Sequence, residues 1–444
     1  MFGLPRVNPE ERLRFFVIAS LLFINSIIVQ SNGVVAISGF ISKAGAQWIP
    51  LVWGVDNLII FLSATGYSLI SDKVDRRKLA FAAFFVAAFV YTVMYFLLKL
   101  GVDERISYTL LMILNDQQWI IFALMLWALA SDVFSVAENK RLFPLIGLIG
   151  FIGGILGNGL AASVARFLGS NVELMLFNAI LLVFAAGLML LFIRRVRSTV
   201  RQASRSDTPK DILRDGLTFV REIPIFRYLA WAMLLIGIGL NTVEYQLAVG
   251  GHMQYPGIGD LQAFLGTFRM VRMISLGVVQ AFLSGWIINR IGFKSIFIIF
   301  PTIMFLALAG ALFFPILIVI AAGEYLVRIT QEGVDDPSRR ALIGLIPDEQ
   351  RGRISAFLDG YLYPLGAVLS CLLIGGTLAA QNFGLLPENL TSTVYLGISA
   401  LAVGVAIWLI TRFRATYDES MLNWRLRRRT RKSDVIDKLD KLEF

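Results

Sequence analysis

Cysteine and histidine are almost absent from this chain of 444 residues. There is one of each, Cys371 and His252. One cysteine excludes an intramolecular disulfide and a cysteine-built zinc site, and one histidine argues against a histidine-rich metal cluster. Charge is scarce too, at 16% of residues, against about 25% in a soluble domain. No Gly-x-x-x-x-Gly-Lys-Ser/Thr loop occurs, which excludes transport driven by ATP in a P-loop. No nucleophile–base pair suggests an enzyme. No metal and no cofactor is expected.

What the chain has is apolar length. Hydrophobic residues make up 57% and the mean hydropathy is +0.71. A span needs about 20 apolar residues to cross about 30 Å of hydrocarbon, and lipid offers the backbone no hydrogen-bond partner, so spans are helices. Twelve apolar segments are read, at about 15–41, 48–70, 79–99, 108–133, 142–166, 173–193, 226–249, 261–285, 295–313, 315–336, 354–380 and 391–411. The break between the ninth and tenth rests on Pro315 after Phe313-Phe314. The first run follows an N-terminus with acidic residues and no compact cleavage region, so it is expected to be a retained span and not a signal peptide.

Orientation follows from the basic residues. With the N-terminus taken as cytoplasmic, that side holds 34 of the 41 Lys and Arg, the other side holds Lys43, Lys99, Arg105 and Arg166, and Arg269, Arg272 and Arg328 lie inside spans. This bias predicts both termini inside. It makes the net charge of +10 a topology signal with affinity for anionic lipid, and no nucleic acid is expected as a partner. The lipid bilayer and a small-molecule substrate are the expected partners, and the expected state is a monomer in a bacterial cytoplasmic (inner) membrane.

The longest internal polar segment divides the chain into six spans plus six. The expected organisation is a bundle over 1–197, a cytoplasmic linker with an amphipathic helix over 198–224, a second bundle over 225–414, and a basic tail over 415–444. Thr208-Pro209 supplies a cap and a first-turn proline for the linker helix, with Ile212, Leu213, Leu217 and Val220 on one face. In the tail, Arg425, Arg427, Arg428, Arg429, Arg431 and Lys432 precede Val435, Leu439 and Leu442 at helical spacing, which predicts a segment on the inner leaflet.

Two loops echo each other. Gly66-Tyr-Ser-Leu-Ile-Ser-Asp72-Lys73-Val-Asp75-Arg76-Arg77-Lys78 follows the second span, and Gly285-Trp-Ile-Ile-Asn289-Arg290-Ile-Gly292-Phe-Lys294 follows the eighth. Both resemble the loop between spans two and three of the major facilitator superfamily, Gly-x-x-x-Asp-Arg-x-Gly-Arg-Arg. The resemblance implies an all-α membrane protein of twelve transmembrane helices in two six-helix bundles that work by alternating access. Asp72, Arg76, Arg77, Asn289 and Arg290 are expected at cytoplasmic closing contacts, with Asp132, Glu138 and Arg141 at neighbouring span ends. The other reading of such loops is a topology and folding signal.

Polar and charged residues inside spans mark a lined cavity, because each is costly in lipid. The first span carries Gln30, Ser31 and Asn32, the second Asp56, and the fourth Asn115, Asp116, Gln117 and Gln118. The seventh carries Glu244, the eighth Arg269 and Arg272, and the tenth Glu324, Arg328 and Glu332. Asp56, Asp116, Arg269 and Glu324 lie about 12–14 Å from the outer ends of their spans at 1.5 Å per residue. Arg269, Arg272, Arg328, Gln30, Asn32, Asp116 and Gln117 are expected to bind substrate. Asp56, Glu244 and Glu324 are expected in proton coupling or charge pairs. Glu324 and Arg328 neutralising each other, or Glu244 serving Arg269, remain purely structural alternatives. The glycines of Gly150-Phe-Ile-Gly153-Gly154-Ile-Leu-Gly157-Asn-Gly159 lie inside a span, where close helix packing explains them better than phosphate binding.

The stretch from Trp127 to Gly147 resembles a segment of the bacterial and plastid ATP/ADP translocase family, Trp-Gly-x-Ala-Asn followed by Val-x-Glu-Ala-Lys-Arg-x-Tyr-Pro-Leu-x-Gly. Trp127, Ala130, Val136, Glu138, Lys140, Arg141, Pro144, Leu145 and Gly147 fall in register. The resemblance implies a nucleotide-exchanging carrier that uses basic residues for phosphate. The chain also departs from that pattern. The family's charged Arg-Asp-x-Lys-Asp run in the first span corresponds to Val29-Gln30-Ser31-Asn32-Gly33, without charge. Its Glu-x-Trp corresponds to Asp116-Gln117-Gln118-Trp119. Asp336-Pro337-Ser338-Arg339-Arg340, Ile346-Pro347, Gly352-Arg353 and Asp359-Gly360 echo later pieces at different spacing. The expected function is secondary-active transport of a small organic anion, nucleotide exchange leading. A proton-coupled carrier of a non-nucleotide solute and a non-transporting sensor or anchor are the alternatives.

Overall fold

The computed structural model describes residues 7–71, 74–168, 172–195, 214, 217, 218, 220, 221, 223–292, 294–343, 354 and 357–440, and only the backbone path at 64, 65, 68–71, 136, 168, 195, 359 and 418–440. Asp72 and most of the expected linker helix lie outside the described residues, as do the side chains of Asp359 and the basic tail.

Every long described element is a helix. We label them α1 (Arg12–Ala44), α2 (Ile49–Ser71), α3 (Arg76–Lys99), α4 (Glu104–Val133), α5 (Val136–Leu168), α6 (Val172–Arg195), α7 (Pro224–Gln254), α8 (Ile258–Val278), α9 (Ile299–Phe313), α10 (Leu317–Thr330), α11 (Tyr363–Asn382) and α12 (Glu388–Asp440). Among the described residues, eleven helical stretches are long and apolar enough to span a membrane. The tenth expected span, α10, is not one of them, because Glu324, Arg328 and Glu332 dilute its apolar character. It continues through a π-helical turn (Gln331–Asp335) into a short helix (Asp336–Ile343). The break after α9 falls where Pro315 predicts it: Phe314 ends α9, and Ile316 is extended at φ −107° and ψ 142°. The last helix runs unbroken from the expected bundle into the tail.

Local chemistry fixes the helix ends. Asp75 starts α3 by accepting the Arg77 backbone N–H at 3.0 Å, and Asp103 starts α4 by accepting the Arg105 N–H at 3.1 Å, both ordinary N-caps. Ser135 and Glu138 form a reciprocal capping box at the start of α5, with the Ser135 N–H donating to Glu138 Oε2 at 2.6 Å and the Glu138 N–H to Ser135 Oγ at 3.3 Å. Gly45, at φ 98°, turns the chain from α1 towards α2, a conformation that a side chain resists.

By contacts the chain divides into two compact units: Met1–Ser206 with Leu247–Gly277, and Asp207–Gln246 with Val278–Phe444. In the first unit, α1 is the hub against which α4, α5 and α6 pack. Glycines let α5 lie on its backbone. A Cβ at Gly153 would stand 2.5 Å from the Phe23 carbonyl oxygen, one at Gly157 would meet the Ile27 carbonyl, and one at Gly150 would touch Leu22 and Ser26. The other side of α5 receives α8. A Cβ at Gly266 would stand 2.9 Å from both Ala162 N and Asn158 O, and Met273 and Met270 fill the space above Gly154 and Gly159. Gln262 Nε2 donates to the Ala161 carbonyl at 2.8 Å. The glycine stretch is therefore a packing surface with two faces, as small residues within spans commonly are.

In the second unit, α9 packs between α10 and α12. The hydroxyls of Thr242 (α7), Ser370 (α11) and Ser399 (α12) join three helices at 3.0 and 2.9 Å. Gly237 and Gly366 bring the backbones of α7 and α11 together. Among the described residues of this unit there are three π-helical turns, Val279–Leu283 after α8, Gln331–Asp335 after α10 and Leu358–Leu362 before α11. Each frees backbone groups that a regular helix would use. The first two turns meet, with Ser284 Oγ donating to Gly333 O at 2.5 Å and Gln280 Nε2 to Glu332 O at 3.1 Å.

Candidate functional site

The helix ends nearest the N-terminus hold a set of ion pairs. Arg76 on α3 contacts Asp132 on α4 at 3.0 Å. Arg14 on α1 reaches Glu138 at 3.2 Å, donates to the Val133 carbonyl at 2.8 Å and lies over the Phe134 ring. Arg141 pairs with Glu11 at 2.5 Å. Arg77 folds back on Asp75 at 2.8 Å. Of the residues expected to gate, Arg76, Asp132, Glu138 and Arg141 are thus brought into pairs that knit the first unit, while Asn289 and Arg290 are exposed. Sequence reasoning missed Glu11 and Arg14, which lie more than a hundred residues from their partners.

These pairs set the carboxyls that face water. Burial pushes the Glu11 carboxyl up. Hydrogen bonds from the Asn8 backbone, Arg141 and the Asn8 side chain, with the Arg141 charge, outweigh that and hold it below the ordinary carboxylate value. Asp75 is held low by the Arg77 side chain, against a smaller opposing effect of burial.

Deeper in the first unit, the polar residues of α1 face different neighbours. Gln118 Nε2 donates to Asn25 at 2.9 Å. Asn178 on α6 donates to Asn32 at 2.6 Å and to Ser31 at 3.0 Å, and Asn32 is fully buried. Gln30 accepts from Asn158 at 3.2 Å. Gly33 sits between α4 and α8: a Cβ there would be 3.1 Å from Asn115 Nδ2 and 3.7 Å from the Arg269 guanidinium. Asn115 donates to Asp116 at 3.3 Å, and Gln117 Nε2 to Asp56 at 3.2 Å. The structure thus sets Asp56 against Gln117, Asp116 against Asn115 and Arg269 beside Gly33, while Gln30 and Asn32 face α5 and α6. Arg272 follows Arg269 at helical spacing and is half-buried. Asn158 and Asn178 were missed, although Asn158 lies inside the glycine stretch, next to Gly157 and Gly159.

In the second unit Arg328 is the organising charge. It contacts Glu244 of α7, lies 3.5 Å from Glu324 one turn earlier, and donates to Gln331 at 3.2 Å. The neutralisation of Glu324 by Arg328, one of the two structural alternatives, is present. Further along, Arg339 is buried, 2.9 Å from Asp335, and its guanidinium lies 4.8 Å over the Tyr363 ring.

Known proteins give this arrangement its lineage. Solved structures of similar fold include the nucleoside transporter NupG, with TM-score 0.66, 12% identity, and coverage of 91% of this chain and 98% of that one. A bacterial homologue of the iron transporter ferroportin in an inward-facing state has TM-score 0.66 and 16% identity, covering 92% and 100%. At such identities they speak for the fold alone, which is all-α and of the major facilitator type. Among curated proteins, ADP,ATP carrier protein 1 of Chlamydia pneumoniae is 22% identical over 337 residues, 66% of this chain and 63% of that protein. The chloroplastic ADP,ATP carrier protein 1 of Arabidopsis thaliana is 24% identical over 327 residues, 65% and 50%. The chain thus spans about half to two-thirds of the length of these relatives. The model of the TLC ATP/ADP transporter family matches residues 91–334, more than half of the sequence. This integral membrane protein belongs to the TLC ATP/ADP transporter family, a family of transporters and not of enzymes.

Proposed function

We propose that the protein is a secondary-active carrier that exchanges nucleotides of the ATP/ADP type across a bacterial cytoplasmic membrane by alternating access, with both termini cytoplasmic. The observation that carries this reading is the position of Arg269. Its guanidinium lies beside Gly33 of α1, where a missing side chain leaves room, with the Asn115 amide next to it. A guanidinium is weakly hydrated and presents forked donors suited to phosphate. In this reading Arg269 and Arg272 hold the anionic part of the substrate, Gln30 offers a neutral hydrogen bond in the run where the resembled family carries charge, and Asn115 offers another. Asn32 and Gln117 support these groups from behind, and Arg328 with its two acids serves the second half of the cycle. The pairs of Arg76, Asp132, Glu138 and Arg141 stiffen the first bundle, which then moves as one piece. The working unit is a monomer in lipid, with no nucleic acid partner.

The test is counterflow. Protein reconstituted in liposomes loaded with unlabelled ADP should take up labelled ATP, and should fail to do so when the lumen holds no nucleotide. Equal uptake with and without internal nucleotide would rule out exchange. No uptake under either condition would rule out nucleotides.

A further inference from the structure

Asn158 of α5 joins three helices and is fully buried. Its amide nitrogen donates to the Gly154 carbonyl one turn earlier at 3.0 Å, to Gln30 Oε1 of α1 at 3.2 Å and to the Met273 sulfur of α8 at 3.3 Å. Two N–H groups thus serve three acceptors. The amide oxygen has no partner among the described residues. An idle buried acceptor is costly, and a leucine would fill a similar volume without one. The nitrogen side is therefore what an asparagine contributes at this position.

The Gly154 carbonyl sets the orientation of both amides. A backbone carbonyl only accepts, so the side of Asn158 that faces it is the nitrogen. A reversed amide would set its oxygen against three acceptors. That nitrogen in turn fixes Gln30, whose amide must turn its oxygen to Asn158. With the oxygen committed, the Gln30 amide presents its N–H groups away from Asn158.

The two amides stand next to the anion site. Gln30 precedes Gly33 by three residues on the same side of α1, and Gly33 lies beside Arg269. On α8, Met273 follows Arg269 by four residues and shares its side. A Cβ at Gly154 would stand 3.5 Å from Gln30 Cγ and 3.3 Å from the Met273 sulfur. Gln30 is thus placed about one helical turn, roughly 5 Å, from the level of Arg269.

We propose that Asn158 is a positioning residue for the anion site, locking the Gln30 amide with its N–H groups towards the space beside Arg269. The inference rests on the anion site proposed at Arg269. Anionic oxygens only accept, so an unlocked Gln30 would meet them with its own oxygen part of the time. Asn158 removes that orientation. It acts through Gln30 and does not touch substrate.

Counterflow kinetics in proteoliposomes test this, with external ATP varied against internal ADP. Asn158→Leu should raise KM about three- to tenfold, the worth of one hydrogen bond, and leave kcat within about twofold. Gln30→Ala should raise KM similarly. Asn158→Leu added to Gln30→Ala should raise it no further, because the group that Asn158 positions is gone. Each protein is checked for monodisperse elution, and Asn158→Ala takes the same place in the cycle if Asn158→Leu does not fold. KM effects that multiply in the double variant, or a fall in kcat at unchanged KM, would make Asn158 a packing residue and overturn the role while leaving nucleotide exchange intact. Failure of both Asn158 variants to give monodisperse protein would overturn it too. Absence of nucleotide counterflow in wild type would remove the nucleotide reading itself, and this role with it.

Discussion

One guanidinium nitrogen of Arg76 lies 3.0 Å from each carboxylate oxygen of Asp132, tying the start of α3 to the end of α4. Both side chains keep more than a quarter of their surface in solvent, so the pair contributes modestly to stability, with a coupling of about 0.5–1 kcal/mol in a double-mutant cycle. Arg76→Gln and Asp132→Asn should each slow nucleotide uptake and leave the apparent affinity for ATP unchanged. A lost affinity at normal rate would show that these residues touch substrate.

Arg328 should be far more costly to remove. It answers two acids, Glu244 and Glu324, the second of them 2% exposed. Arg328→Gln removes the guanidinium that contacts both and should destabilise the protein by about 3–5 kcal/mol, the usual cost of breaking a buried pair by removing one member. The double change Arg328→Gln with Glu324→Gln should recover part of that loss. Thermal unfolding in detergent checks the order: single variant lowest, double variant intermediate, wild type highest.

Arg269→Gln and Arg272→Gln should abolish the stabilisation of the protein by ATP in a thermal-shift assay, with little change in the melting temperature of the unliganded protein. Arg→Lys should restore binding poorly, because an ammonium lacks the planar fork. Wild-type ATP stabilisation in both Gln variants would make these arginines structural.

The Glu11–Arg141 contact carries a pH signature. The folded carboxyl titrates below the ordinary value of 4.5, so its contribution is complete above that value and is lost only as pH falls through the lowered one. Anisotropy of a fluorophore at position 8, in a Cys371→Ser background, should stay constant from neutral pH to about pH 5 and drop in stronger acid. Glu11→Gln should show the low anisotropy already at neutral pH.

The parts of the fold legible in the sequence are those with a local cause. Pro315 marks the α9–α10 break because proline denies the preceding residue a helical conformation. The glycines from 150 to 159 declare a close-packed face by their spacing. Burial of charge was legible as well, since Asp56, Glu324 and Arg328 stand inside apolar runs. Partner choice was not. Glu244 offers no local cue to a partner, and only the packing of α7 and α10 brings it against Arg328, 84 residues away. Arg141 bonds Glu11 because the segment before α1 folds under α5, a closure across 130 residues that no local pattern records. Glu138, expected at a closing contact from its place at a span end, also caps its own helix.

The Gly266 contact with Ala162 and Asn158 has a historical consequence. The two echoing loops of the sequence imply a duplication, yet residues 247–277 group with residues 1–206. After such a duplication, Gly266 is answerable to α5 and no longer to its counterpart in the other copy. Divergence at 266 should track divergence at 158 and 162 across the family, so the helices that drift together are those that touch, whatever their shared ancestry.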